Sequence, residues 1–249
     1  MIRRLDVAVA ELSGLSRAAA KELIIGGDVK VNNAVATKPG LQISESDAID
    51  YTLPDISFVS RGGYKLLFAL DTFGIDLHGR VCLDVGASTG GFTDCMLQRG
   101  ASFVHALDVG TAQLHPNLRT DTRVHSVENT NILDINPNNL SPTPTFATVD
   151  ISFVSSTKIL PHLASMSYIE QIIILVKPQF EVGRGNISKR GIVRNEKTRK
   201  KAIDSVVNSA VTAGLRFCGF CESPITGGDG NIEYLAFFSN NANFKRDEE

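Results

Sequence analysis

The chain has 249 residues, 43% of them hydrophobic and 21% charged, with no tryptophan. That is enough apolar content to bury a core, and it excludes a disordered or fibrous chain. The longest purely aliphatic run, Ile172 to Val176, falls far short of the roughly 20 residues a membrane span needs, and Arg3, Arg4 and Asp6 break any apolar leader. A cytoplasmic protein with no membrane attachment is therefore expected, and the formal charge of −2 at pH 7 gives by itself no sign of a nucleic-acid partner.

Residues 1–53 read as a small α+β unit. Leu5, Val9 and Leu12 recur at helical spacing, Ser16 suits the N-cap of a second helix over 17–25, and Gly26-Gly27 stops it. Strands are expected at Val29–Val31 and over 48–52, with a turn at Asn32-Asn33 and a loop through Lys38-Pro39-Gly40. Ser-Arg followed by Leu23-Ile24 and G-D-V-K-V-N (27–32) resembles the S4 RNA-binding domain. The resemblance implies that Arg17, Lys21 and Lys30, with Arg3 and Arg4, meet RNA phosphates. Charge alone does not carry this, because the unit holds seven acidic residues against six basic ones.

A linker is expected over 54–60, then a domain over 61–242 and a charged tail over 243–249. In the domain, apolar strands alternate with helical stretches, which predicts an α/β fold with a largely parallel sheet. Strands are expected over 81–85, 103–109, 146–151, 172–176, 215–222 and 232–238. Helices are expected over 64–73, 91–99, 156–166 and 196–213, and residues 136–145, with three prolines and three asparagines, read as loop.

The most specific local feature is D-V-G-A-S-T-G-G-F (84–92), at a strand end and a helix start. Its glycines let the backbone turn tightly beside a ligand at the carboxyl edge of the sheet. A second strand approaches Asp108, 24 residues after Asp84, where a carboxylate can accept hydrogen bonds from ribose hydroxyls. A nicotinamide dinucleotide competes for such a site, but its fingerprint is G-x-G-x-x-G and this loop reads G-x-x-x-G-G. The run resembles motif I of S-adenosylmethionine-dependent enzymes, in particular FtsJ-like ribose methyltransferases. The resemblance implies a Rossmann-like sheet with helices on both faces. It also implies a cofactor site made by Asp84, Gly86, Ser88, Gly90, Gly91, Phe92 and Asp108, with adenine near residues 128–132 and Asn131 among its contacts.

Four further residues stand in compact motifs: Lys65 in S-R-G-G-Y-K-L, Asp150 in V-D-I-S-F, Lys177 in V-K-P-Q-F-E and Glu233 in G-N-I-E-Y. Three of them border apolar strands, where an ionised group is costly unless paired. Together they match the K-D-K-E tetrad of the FtsJ-like family, and the whole chain resembles the TlyA/haemolysin A family. Family membership implies methylation of cytidine 2′-hydroxyls in ribosomal RNA, on one or both ribosomal subunits. The reaction needs oxygen, methyl and sulfur aligned and a proton removed. Lys177 is the candidate base. A free lysine titrates near about 10.4, so a basic Lys177 needs desolvation and a nearby cation, for which Lys65 is the candidate. Asp150 and Glu233 would orient the two ammonium groups.

From Arg184 to Lys201 the chain carries eight basic residues and one acidic. Arg184, Lys189, Arg190 and Arg194, with Arg61, are candidates to guide the RNA backbone. Cys218 and Cys221 form a C-x-x-C pair, but within one strand such residues face apart, so they read as core thiols, and the five histidines lack ligand spacing. No metal site is assigned. The competing readings are a noncatalytic RNA-binding or ribosome-assembly factor that keeps the fold, a small-molecule methyltransferase, and a membrane-lytic protein suggested only by the family's name. The intact tetrad, the S4-like module and the absence of a basic amphipathic anchor argue against these in turn. Oligomeric state is not legible.

Overall fold

The computed structural model describes residues 2–13, 17–52, 57–188, 190–227 and 230–240. The chain divides into two compact units, Met1–Gly63 and Tyr64–Glu249. Ser16, the 53–56 part of the expected linker and the tail beyond 240 lie outside the described residues.

The first unit runs β1 (Arg3–Arg4), α1 (Leu5–Ser13), α2 (Arg17–Gly26), β2 (Val29–Val31), β3 (Ala34–Val35), β4 (Gln42–Ile43) and β5 (Ile49–Tyr51). Leu5, Ala8 and Val9 on α1 and Ala20, Leu23 and Ile24 on α2 repeat at i, i+3, i+4, so each helix turns one apolar stripe inward. Gly27, at φ +86, ends α2: its N–H donates to Ile24 O and the next N–H to Leu23 O. The stripes close over Val29, Ala36 and Ile43, against a three-stranded sheet of order β3-β2-β5.

The second unit continues with α3 (Gly62–Phe73), whose first turn begins in the first unit, and β6 (Val81–Val85), α4 (Gly91–Gln98), β7 (Phe103–Leu107), α5 (Pro116–Arg119), β8 (Val124–Val127) and β9 (Phe146–Val149). It ends with α6 (Leu160–Ser165), β10 (Gln171–Val176), α7 (Pro178–Glu181), α8 (Glu196–Thr212), β11 (Arg216–Glu222) and β12 (Tyr234–Ser239). One seven-stranded sheet of order β11-β12-β10-β9-β6-β7-β8 results, parallel except for the pairings of β12. Helices cover both faces. Ala236 and Phe238 of β12 join Ile203, Val206 and Ala210 of α8 and Leu163 of α6 on one side, while Phe237 meets Phe73 of α3 on the other, with ring centroids 5.3 Å apart. Five consecutive β10 residues, Ile172 to Val176, are consequently buried, as a central strand between two helical layers requires.

The chain leaves β6 toward β7 and β8 on one side and returns to β9 and β10 on the other, so the crevice between β6 and β9 is the switch point where open α/β sheets place ligands. Because β12 is antiparallel to β10, the start of β12 lies at this same carboxyl edge, with Tyr234 opposite Val176.

Several expected bounds shift. β7 ends at Leu107 and β9 at Val149, so Asp108 and Asp150 lie just past the strand ends, each still tied to the neighbouring strand by its N–H, to Val127 O and Val85 O respectively. The helix expected over 156–166 is a 3-10 turn, Ser156–Lys158, followed by α6, where Pro161 supplies no backbone N–H at the first turn. The loop over 136–145 contains a 3-10 turn, Pro137–Asn139. Cys82 and Cys95 are core thiols, but Cys218 and Cys221 are only half-buried. They sit on β11, an edge strand whose register slips between Phe217 and Gly219, so one face lacks full cover.

Candidate active site

The site lies at the carboxyl edge of β6, β7, β8 and β9 and begins with a backbone constraint. Gly86 follows β6 at φ +85, and a Cβ there would stand 2.4 Å from the Asp150 carbonyl oxygen. Only glycine allows the loop after β6 to lie this close to the end of β9. The Asp150 N–H donates to Val85 O at 2.9 Å, so the two strand ends are locked together. Gly90, at φ +97, packs where a Cβ would stand 2.3 Å from Leu118 Cδ1.

Asp108 organises the other wall. Its Oδ2 accepts the Ser88 N–H and its Oδ1 the Gly110 N–H, each at 2.7 Å. Asp84 is fully buried and accepts hydrogen bonds from Thr93 Oγ1 at 2.6 Å and Thr148 Oγ1 at 2.9 Å. Burial pushes its carboxyl up to about 6, against the pull of the two hydroxyls. Between these loops opens a cavity of about 570 Å³, within the range of sites that hold a cofactor. Gly86, Ser88, Asp108, Asn131 and Asp150 line it, together with Val109, Ile132 and Leu133. Asp84, Gly90, Gly91 and Phe92 do not line it: Asp84 ties the loop to the sheet, and Phe92 is buried in the core. Asn131 Oδ1 is already engaged with the Leu133 N–H at 3.1 Å, capping a short turn. A carboxylate fixed by backbone donors beside an apolar wall suits a nucleoside, so these residues fit S-adenosylmethionine.

The four charged residues form two pairs. Lys177, immediately after β10, holds Asp150 Oδ1 at 2.5 Å and donates to Ser152 Oγ at 2.9 Å. Lys65, on α3, holds Glu233 Oε2 at 2.6 Å, and this pair is buried. Glu233 has room because residue 227 is glycine: a Cβ there would stand 2.4 Å from Glu233 Oε1. Lys65, proposed from sequence as a cation acting on Lys177, is thus held by its own carboxylate.

Phe153 was not singled out from the sequence. It is 89% exposed, lines the cavity mouth, and adopts a left-handed backbone at φ +67. Its phenyl ring stands 5.4 Å from that of Phe180. A bulky residue in this conformation is uncommon and marks a constrained position. The signal was present in V-D-I-S-F, where the aromatic follows the strand end by only a few residues.

The cations proposed for RNA contact divide. Arg4 donates to both oxygens of the buried Asp6 and Arg17 reaches the same carboxylate, while Arg3 pairs with Glu11. The Arg4 hydrogen bond, ahead of that from Arg17, holds the Asp6 carboxyl below its ordinary value despite burial. In the first unit Lys21 is half-buried, Lys30 exposed and Arg61 half-buried; in the second, Arg190 and Arg194 are exposed. The Arg184 side chain and Lys189 lie outside the described residues. Arg199 braces the segment before α8, donating to Arg194 O at 2.8 Å and Tyr234 Oη at 3.2 Å. Among the described residues, no group of three or more His, Cys, Asp or Glu is placed to hold a metal, and no helix is long and apolar enough to cross a membrane.

The doubly wound sheet, with a glycine turn packed against the backbone at the end of β9 and a cavity at its switch point, is that of an S-adenosylmethionine-dependent methyltransferase. The chain belongs to the FtsJ-like methyltransferase family, which it matches over residues 58–240, and to its TlyA/haemolysin A group; residues 3–49 match the S4 domain. It is 43% identical over 225 residues to Hemolysin A of Brachyspira hyodysenteriae, covering 90% of this chain and 93% of that one. It is 40% identical over 222 residues to the 16S/23S rRNA (cytidine-2′-O)-methyltransferase TlyA of Mycobacterium tuberculosis, covering 88% and 83% of the two chains. A solved structure of a hemolysin-named protein from Streptococcus thermophilus superposes with a TM-score of 0.74 at 40% identity, over 96% of this chain and 88% of that one.

Proposed function

We propose that this protein methylates the ribose 2′-hydroxyl of cytidine in ribosomal RNA, in the cytoplasm, using its first unit to bind RNA. The observation that carries the reading is that Asp150, which lines a nucleoside-sized cavity, is paired with Lys177. S-adenosylmethionine supplies a methyl group already activated by its sulfonium. What the chain must add is alignment and removal of one proton. Asp108 and Ser88 would hold the ribose end of the cofactor, and Val109, Ile132 and Leu133 would flank its base.

Lys177 is the proposed proton acceptor for the incoming 2′-hydroxyl. For this step Lys177 must act as the neutral amine, becoming ammonium as it takes the proton; Asp150 and Ser152 fix its Nζ in place, and the buried Lys65–Glu233 pair holds α3 against the start of β12. Phe153 offers an exposed ring on which a base can stack, the way single-stranded RNA is commonly held. Arg190 and Arg194 would meet the backbone phosphates.

The test is transfer of labelled methyl to unmodified ribosomal subunits, in competition with free nucleosides, followed by nuclease digestion and mass spectrometry. A 2′-O-methylcytidine product resistant to nucleoside competition supports the reading. A labelled free nucleoside, or cofactor binding without transfer to either subunit, contradicts it.

A further inference from the structure

We infer that Glu181 is a positioning residue for the substrate nucleoside, a role that rests on the RNA-methyltransferase reading above. The loop that follows β9 carries Asp150, Ser152 and Phe153, the groups nearest the incoming ribose in that reading. Its central residue, Phe153, stands at φ +67, a conformation that a bulky side chain keeps only when its neighbours enforce it.

The neighbours that enforce it come from α7 and the residue before it. Lys177 grips the start of the loop through Asp150 and Ser152. Phe180 packs its ring, tilted by 51°, against that of Phe153 in the middle. Glu181 grips the far end with both oxygens: Oε1 accepts the Ser156 N–H at 2.9 Å, and Oε2 accepts the Ser155 hydroxyl. Ser155 Oγ in turn accepts the Thr157 N–H at 3.2 Å, so the same grip fixes the start of the 3-10 turn. Lys177 and the four-residue helix it leads thus pin the loop at both ends, with Phe153 between the pins.

Glu181 does not itself line the cavity. Its loss frees the far end of the loop while leaving the Asp108–Ser88 hydrogen bond untouched, so substrate capture suffers and cofactor binding does not. Hydrogen bonds to a carboxylate are the stronger kind, which is why one side chain can hold the loop.

The experiment uses the full chain with Glu181→Ala and Glu181→Gln, measuring methyl transfer at varied ribosomal RNA concentration and cofactor affinity by calorimetry. Glu181→Ala is expected to raise KM for RNA by about tenfold or more, since two charge-assisted hydrogen bonds to the loop are lost. Cofactor affinity should stay within about twofold, separating positioning from general loosening. Glu181→Gln keeps an acceptor for the Ser156 N–H and an amide for Ser155, and is expected to restore most of the loss.

A second readout does not depend on activity. The chain has no tryptophan, so Phe153→Trp supplies a single exposed reporter. Its fluorescence anisotropy should fall when Glu181→Ala is added and hold when Glu181→Gln is added. Unchanged KM and anisotropy in Glu181→Ala, a parallel loss of cofactor affinity, or no rescue by Gln would overturn the inference. Wild type that binds cofactor yet methylates no RNA contradicts the underlying reading instead, and the anisotropy comparison then still decides the role of Glu181.

Discussion

The Ser88 N–H donates to the carboxylate of Asp108 at 2.7 Å, so the residue proposed to hold the ribose also shapes the glycine loop. Asp108 therefore serves the site twice, once through each wall. Asp108→Ala is expected to weaken S-adenosylmethionine binding by about tenfold or more, since it removes a charged acceptor and leaves Ser88 and Gly110 donors unpaired. Calorimetry checks it. RNA binding should be unchanged, and an unaltered cofactor affinity would remove Asp108 from the site.

Asp84 makes a prediction about pH. Its folded-state carboxyl titrates near about 6, above its ordinary 3.8, so the folded chain binds this proton more tightly than the unfolded one. The sign follows: the contribution to stability is fully present below the ordinary value and is lost as pH rises through about 6. Asp84→Asn removes that dependence while keeping a partner for Thr93 and Thr148. In thermal melts the variant should gain on wild type between pH 4 and pH 7, by roughly 5 °C at the upper end. A gap that stays constant over this range contradicts the assignment.

Arg190 and Arg194 are exposed, and neither is tied to a carboxylate among the described residues. Reversing both to Glu is expected to weaken RNA binding and flatten its salt dependence, by a slope of about one for each phosphate that is no longer neutralised. Titrations at several salt concentrations read this directly. An unchanged slope would place the RNA path elsewhere.

Much of this was legible in the sequence, because local chemistry and long-range geometry coincide at strand ends. D-V-G-A-S-T-G-G-F announces its turn through residue types that only a tight backbone needs, and Asp150, Lys177 and Glu233 stand out as charges bordering apolar runs. The pairing was not legible: nothing local says that Lys177 takes Asp150 while Lys65 takes Glu233, since partners 27 and 168 residues apart meet only through sheet order. β8 went unread because V-H-S-V is short and only partly covered at the sheet edge. The resemblance puts the cations of the first unit at RNA phosphates, yet Arg4 and Arg17 converge on the buried Asp6, a burial that an acidic residue in a helix does not advertise. Cys218 and Cys221 were read as core because strand periodicity says which face a residue takes and not whether that face is covered.

The most direct test of the central claim compares wild type with Lys177→Ala on unmodified ribosomal subunits, reading 2′-O-methylcytidine by mass spectrometry after confirming that both bind S-adenosylmethionine. The account predicts the modified nucleoside from wild type and a loss of at least about a hundredfold in the variant, the scale of a missing general base. Equal product from both proteins would contradict it.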